Sequence, residues 1–132
     1  MTLQAAVIPF RGAGKTLEIC LIRRKGSGRK WGIPKGFIDR GETPKDAALK
    51  EAFEEAGLKG RLVGGPVGSY EYEKWGATLT VTVYLMEVKD EEDDWAEVDL
   101  RERLWTSLEE AAELLARHPV QSLIDHARGR LS

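Results

Sequence analysis

Three glutamates, Glu51, Glu54 and Glu55, stand at helical spacing within residues 36–58, GFIDRGETPKDAALKEAFEEAGL. Like charges at i and i+4 cost a helix about 0.2–0.5 kcal/mol, so Glu51 above Glu55 is unfavourable unless a cation lies between them. Their hard oxygen atoms suit Mg2+, with Mn2+ as the alternative, and Mg2+ completes its shell with water and substrate phosphates. The competing reading is a solvated, glutamate-rich helix face. Upstream, residues 19–38 contain no acidic side chain, whereas Arg23, Arg24, Lys25, Arg29, Lys30 and Lys35 are cationic. That run is either a solvated basic loop or a polyphosphate site leading into the carboxylate helix.

The helix that presents the glutamates carries its own boundaries. Thr43 is a cap, Pro44 occupies the first turn, Asp46 follows the cap by three residues, and Gly57 supplies a left-handed stop. Leu49, Ala52, Phe53 and Ala56 fall at i, i+3, i+4 and i+7, an apolar stripe expected to face the core with the glutamates on roughly the other side. Residues 3–10 and 17–23 read as strands joined by a hairpin turn. Gly14-Lys15-Thr16 imitates a phosphate loop, but Pro9 stands where that motif needs glycine. Residues 61–73 and 78–88 read as two further strands around a turn at 74–76. Trp75 is a packing residue or a stacking platform, and residues 90–94 read as an acidic, solvated loop, with donation of a late carboxylate to the metal site as the alternative. A short strand at 104–106 precedes a helix capped by Ser107 with Glu110, and a last helix follows the break at His118-Pro119. His118 and His126 lack partners at metal spacing and read as structural or exposed.

At 132 residues with 42% hydrophobic content, a single compact domain over 1–132 is expected. A formal net charge of −2 argues against a nucleic-acid binder. Cys20 is the only cysteine, lies in an apolar run, and has no internal disulfide partner. With neither a leader pattern nor an apolar run of membrane-spanning length, a soluble cytoplasmic protein is expected, monomeric or homodimeric, without membrane partners.

Gly36, five residues, Glu42, seven residues and then Lys50-Glu51-Ala52-Phe53-Glu54-Glu55-Ala56-Gly57-Leu58 resemble the Nudix box, GX5EX7REUXEEXGU, with Lys50 at the usual arginine. The resemblance implies an α+β fold, an α/β/α sandwich with a mixed central β-sheet. It also implies metal-dependent attack of water on a phosphoanhydride in a small-molecule polyphosphate. By the same resemblance Glu51, Glu54 and Glu55 are metal ligands and catalytic residues, with the Lys35 carbonyl as a further ligand. Gly36, Glu42, Lys50 and Gly57 support the site, Lys50 by holding the glutamates. Glu54 is the first choice of general base, and a glutamate between residues 71 and 102 is the alternative.

Residues 84–88, 93–95, 101–105 and 115–121 are similar to the diphosphoinositol polyphosphate phosphohydrolase branch, which also cleaves diadenosine polyphosphates. The run WGIPKGFIDRGE at 31–42 is similar to bacterial diadenosine polyphosphate hydrolases. This implies that Arg101 and Arg103 meet substrate phosphates, and Arg24, Lys30 and Lys35 join them as candidates from the cationic run itself. Two departures stand out: Leu104 occupies a position where that branch has glutamate, and its basic cluster with a histidine is replaced near Trp75, Gly76, Ala77 and Thr78. A house-cleaning pyrophosphatase for nucleoside triphosphates or nucleotide sugars is the second enzymatic reading, and a catalytically silent nucleotide-binding module is the reading from another class.

Overall fold

The computed structural model describes residues 2–26 and 28–131. Seven strands form one mixed sheet: β1 (Thr2–Arg11), β2 (Glu18–Arg24), β3 (Lys35–Phe37), β4 (Leu58–Leu62), β5 (Gly68–Lys74), β6 (Ala77–Glu91) and β7 (Arg101–Thr106). The order is β4-β6-β1-β2-β7, with β3 on β1 and β5 on β6. Only β1 and β6 run parallel, from Thr2 opposite Leu79 to Phe10 opposite Glu87. The free edge of β1 changes partner along its length. Gln4 to Ala6 pair with β3, whereas Phe10 and Arg11 pair with β2. The parting between β2 and β3 is bridged by single contacts, Val7 N to Pro34 O and the Ile22–Gly32 pair.

Helix α1 (Pro44–Ala56) covers one face, and α2 (Leu108–Leu114) and α3 (Gln121–Leu131) cover the other. Thr43 Oγ1 accepts from Asp46 N at 3.1 Å, and Gly57 closes α1 at φ 67, where its N–H reaches the carbonyls of Ala52 and Phe53. Ser107 caps α2 in the same manner. The α1 face packs Ala47, Ala48, Ala52 and Ala56 on Ala5, Val7, Cys20 and Met86. The opposite core is bulkier, with Ile8, Leu21, Leu85, Leu115 and Ile124 fully buried, each worth about 1.5–3 kcal/mol of transfer free energy.

Several expectations need correction. Phe53 is 40% exposed beneath the Lys59 ammonium, because the inward arc of α1 is made of alanines and not of the larger apolar residues. At about 100° per residue, Glu51 and Glu55 then fall between Ala47 and Ala48, on the inward half of the helix. The stretch 61–73 is two strands, broken at Gly64-Gly65-Pro66, each pairing with a different segment of β6. Trp75 does not pack. It is 80% exposed at the tip of the β5–β6 hairpin, where φ of 55 at Trp75 and 73 at Gly76 form the two-residue left-handed turn such hairpins require. No helix among the described residues is long and apolar enough to cross a membrane.

Candidate active site

Glu55 is where two cavities meet. Its Oε1 accepts the Lys35 backbone N–H at 3.0 Å, and its Oε2 takes Arg101 Nη2 at 3.1 Å. These bonds tie α1 to β3 and β7, and the alanine-lined contact of α1 with the sheet brings the carboxylate within reach of a strand amide. Glu51, one turn earlier, lies so close over Gly36 that a Cβ there would collide with its carboxyl group. Burial, then the charges of Glu55 and Glu54, push the Glu51 carboxyl up to about 7. Burial also raises Glu55, against the opposing Lys35 N–H and Arg101.

Glu51 and Glu55 line a cavity of about 320 Å3 with Lys35, Gly36 and Asp39. Among the described residues no three acidic, histidine or cysteine side chains converge as a complete ligand set. The donor chemistry nevertheless fits a hard divalent cation. Two crowded carboxylates, with their ionisation disfavoured first by burial and at Glu51 next by the neighbouring carboxylates, gain from one, and Mg2+ uses one or two protein carboxylates with phosphate and water completing its shell. Glu54 lies half-exposed on the same flank but lines neither this cavity nor its neighbour.

The neighbouring cavity, about 310 Å3, is basic, with Arg23, Arg24, Arg29, Lys30, Lys35 and Arg101 in its lining, beside Glu55 and His118. Four of the five expected phosphate-binding cations therefore meet here. Arg103 does not. Its guanidinium donates to the carbonyls of Ala56 (2.8 Å) and Glu92 (2.7 Å), pairs with Glu91 at 3.1 Å and stacks on Trp95, so it clamps the C-terminal end of α1. Lys50 is also corrected. Its single ammonium reaches Asp39 and Glu42, both at 2.9 Å, and these hydrogen bonds raise its pKa, so it holds the loop before α1 and not the glutamates. Glu42 completes that loop by accepting from Asp39 N at 2.8 Å. Gly57 lies against the Trp95 ring, and Trp95 Nε1 donates to Glu55 O at 3.0 Å.

Two further residues stand at the site: His118, expected to be structural or exposed, and Glu97, one of the glutamates between residues 71 and 102 among which the sequence does not choose. His118 lines the basic cavity, and Val120 N donates to its Nδ1 at 3.0 Å. Burial, then Lys35, lowers its pKa. The neutral ring therefore carries its proton on Nε2, the atom that faces Gly32 in the cavity wall. Only the similarity of the segment 115–121 pointed toward it. Glu97 lies in the loop before β7. Its N–H meets Glu54 O at 3.2 Å, its carboxylate pairs with Arg101 at 3.0 Å, and its charge contributes to raising both Glu51 and Glu55. Nothing in its local sequence marks it. Leu104 does not cost the site an acid on the α1 side, because strand alternation turns it away from the face shared by Arg101, Arg103 and Trp105.

A slot of about 200 Å3 adjoins the basic cavity, lined by Tyr70, Tyr72, His118, Pro119 and Lys35. The Tyr70 ring meets His118 edge-on at 5.7 Å, and its buried hydroxyl has no hydrogen-bond partner among the described residues. Lys35 Nζ donates to Tyr72 Oη (3.1 Å), which donates on to Gln4 Oε1 (2.7 Å), a side chain 4% exposed. That chain fixes the ammonium between slot and basic cavity.

The chain matches the NUDIX domain over residues 1–126. Arabidopsis thaliana Nudix hydrolase 16, mitochondrial, is 33% identical over 89% of this chain and 73% of that protein. Diphosphoinositol polyphosphate phosphohydrolase 3-beta of Bos taurus is 33% identical over 87% of this chain and 70% of that protein. The chain spans about half the length of several other plant relatives. A C. elegans Ap4A hydrolase, in a binary complex, has a TM-score of 0.82 over 99% of this chain and 98% of that one; at 22% identity the likeness is one of fold.

Proposed function

The chain belongs to the Nudix hydrolase family, and on that premise we propose that it hydrolyses a phosphoanhydride in a dinucleoside polyphosphate or diphosphoinositol polyphosphate, with Mg2+ as its cation. The observation that carries this is the shared position of Glu55 and Lys35, which line both the carboxylate cavity and the basic cavity. Phosphate held by the cations thus lies against the acid pair.

Glu51 and Glu55 would hold the cation, with Glu54 and the Lys35 carbonyl as further donors. When bound, the cation neutralises phosphate charge and increases the acidity of an attacking water. The residues of the chain do the rest. Arg24, Lys30 and Arg101 orient the polyphosphate and offset charge on the leaving oxygen, and His118 Nε2 donates to a bound, non-reacting phosphate. Water oxygen attacks phosphorus, the anhydride P–O bond breaks, and a carboxylate accepts the water proton. That base is Glu54, beside Glu51 on α1, or Glu97, bridged to Arg101. Rate-versus-pH profiles of Glu54→Gln and Glu97→Gln separate the two, because only loss of the base abolishes the acidic limb.

The proposal extends to a cytoplasmic enzyme, whose reducing environment suits the buried free thiol of Cys20. The test is turnover, with Mg2+, of diadenosine polyphosphates, diphosphoinositol phosphates, nucleoside triphosphates and ADP-ribose. Preferential cleavage of either of the first two is the expected result. Preference for the latter pair would return the house-cleaning reading, and binding of all without cleavage would make this a silent nucleotide-binding domain.

A further inference from the structure

A hollow beside the basic cavity is not used by the mechanism above. It encloses about 420 Å3 between Trp31, Leu114, Ala116 and Pro119, with Lys30 and Arg117 contributing cations. It adjoins the basic cavity, with Lys30 and His118 in the lining of both. His118 and Pro119 also border the tyrosine slot, so one short turn separates two ring-lined hollows that each adjoin the same basic cavity. Trp31 is held in place. The Arg23 guanidinium lies over its ring, 4.3 Å from the centre, and Arg23 is itself anchored to Glu102 at 3.2 Å.

The chemistry of this groove selects its occupant. A flat wall of indole, leucine and proline next to cations fits an uncharged heteroaromatic ring at the end of a polyanionic chain. An inositol ring with phosphates around its circumference could meet Lys30 and Arg117 on one side only, and would have to press its remaining anionic groups against Leu114 and Pro119 and beside Glu113. The tyrosine slot, with its Tyr70 hydroxyl unpaired among the described residues, provides the place for the first ring.

We propose that the Trp31 groove is a second ring subsite, which receives the distal nucleobase of a dinucleoside polyphosphate whose phosphate chain occupies the basic cavity. This rests on the hydrolase reading and narrows it to two-ended nucleotides.

The test compares diadenosine tetraphosphate with adenosine 5′-tetraphosphate, equal in phosphate number and different in the second nucleoside. Affinities are measured by calorimetry with Mg2+ in a Glu55→Gln background, so that substrate is not consumed. The two-ended ligand binds about tenfold more tightly, the value of one stacked base. Trp31→Leu removes that advantage and leaves the one-ended affinity unchanged. Ala116→Leu, at an exposed position, narrows the groove without touching the stacked ring and has the same effect, so the test survives a Trp31 variant that fails to fold. Equal affinities before either change, or an advantage that persists with Ala116→Leu, overturn the subsite. An intact advantage in a protein that cleaves neither compound would instead overturn the hydrolase reading and leave the groove assigned.

Discussion

The two faces of the sheet meet different physical demands. On the α1 face the contact is made by alanines, Ala47, Ala48, Ala52 and Ala56, against Ala5 and Val7. Small side chains bring the helix backbone close to the strands, and Glu51 and Glu55, set between those alanines, reach Gly36 and the Lys35 amide. On the other face Ile8, Leu21, Leu85, Leu115 and Ile124 form a thicker core under α2 and α3, and ring-lined cavities open at its rim around His118. Close approach sets acidic side chains against strand backbone, whereas the thicker layer leaves ring-lined cavities at its edge. Stability on the two faces should therefore couple to turnover in different ways.

Changing Glu55→Gln is the most severe test. It removes one charge from the acid pair while keeping an acceptor for Lys35 N, and kcat should fall by about a thousandfold or more with little change in melting temperature. Near-normal turnover would end the assignment of the α1 face. Next in size is a matched pair in the two cores. Leu115→Ala should cost about 2–5 kcal/mol in denaturant unfolding, yet leave kcat of the folded fraction intact. Ala52→Leu should cost about 1–3 kcal/mol and also reduce kcat, because overpacking lifts the glutamates off β3. Equal effects on kcat would break the contrast between the faces.

Arg103→Met tests the clamp on α1. Losing its bonds to two carbonyls and Glu91 should cost about 2 kcal/mol, measured by urea unfolding, with KM unchanged. A raised KM would return Arg103 to the substrate. His118→Ala should raise KM about tenfold with kcat changed less, the loss of one neutral donor to phosphate; a fall in kcat alone would place His118 in the chemical step. The smallest effect is one of pH. Glu51 in the fold holds its proton up to about 7, above its ordinary value near 4.5, so the folded state binds the proton more tightly than the unfolded state. Metal-free protein should lose stability as pH rises from about 4.5 through about 7, and Glu51→Gln should flatten that trend in thermal melts taken in chelator. An unchanged slope in the variant would mean that Glu51 is not the crowded acid.

The contiguous parts of the molecule were legible in the residues. Thr43, Pro44 and Gly57 bound α1 because caps and left-handed stops act through neighbouring backbone, and the loop-helix pattern from Gly36 to Leu58 carried the family with it. The direction of the glutamates was misread, because the larger Leu49 and Phe53 dominated the periodic signal while the burial was made by alanines. The place of His118 in the basic cavity, and the choice of Glu97 among the glutamates between residues 71 and 102, were not legible. Each gains its role from a partner distant in the chain, His118 from Gly32 and Tyr70, and Glu97 from its place beside Glu51, Glu54 and Glu55.

What the sequence determined alone was a capped helix bearing three acids and a cationic stretch ahead of it, since both follow from local spacing. Whether Arg101 or Arg103 faces the basic cavity was decided only in three dimensions. Both project from β7 toward α1, yet Arg101 meets the Glu55 carboxylate and Arg103 meets the last carbonyls of the helix. Strand alternation sets the face, and the end of α1 above it selects the partner.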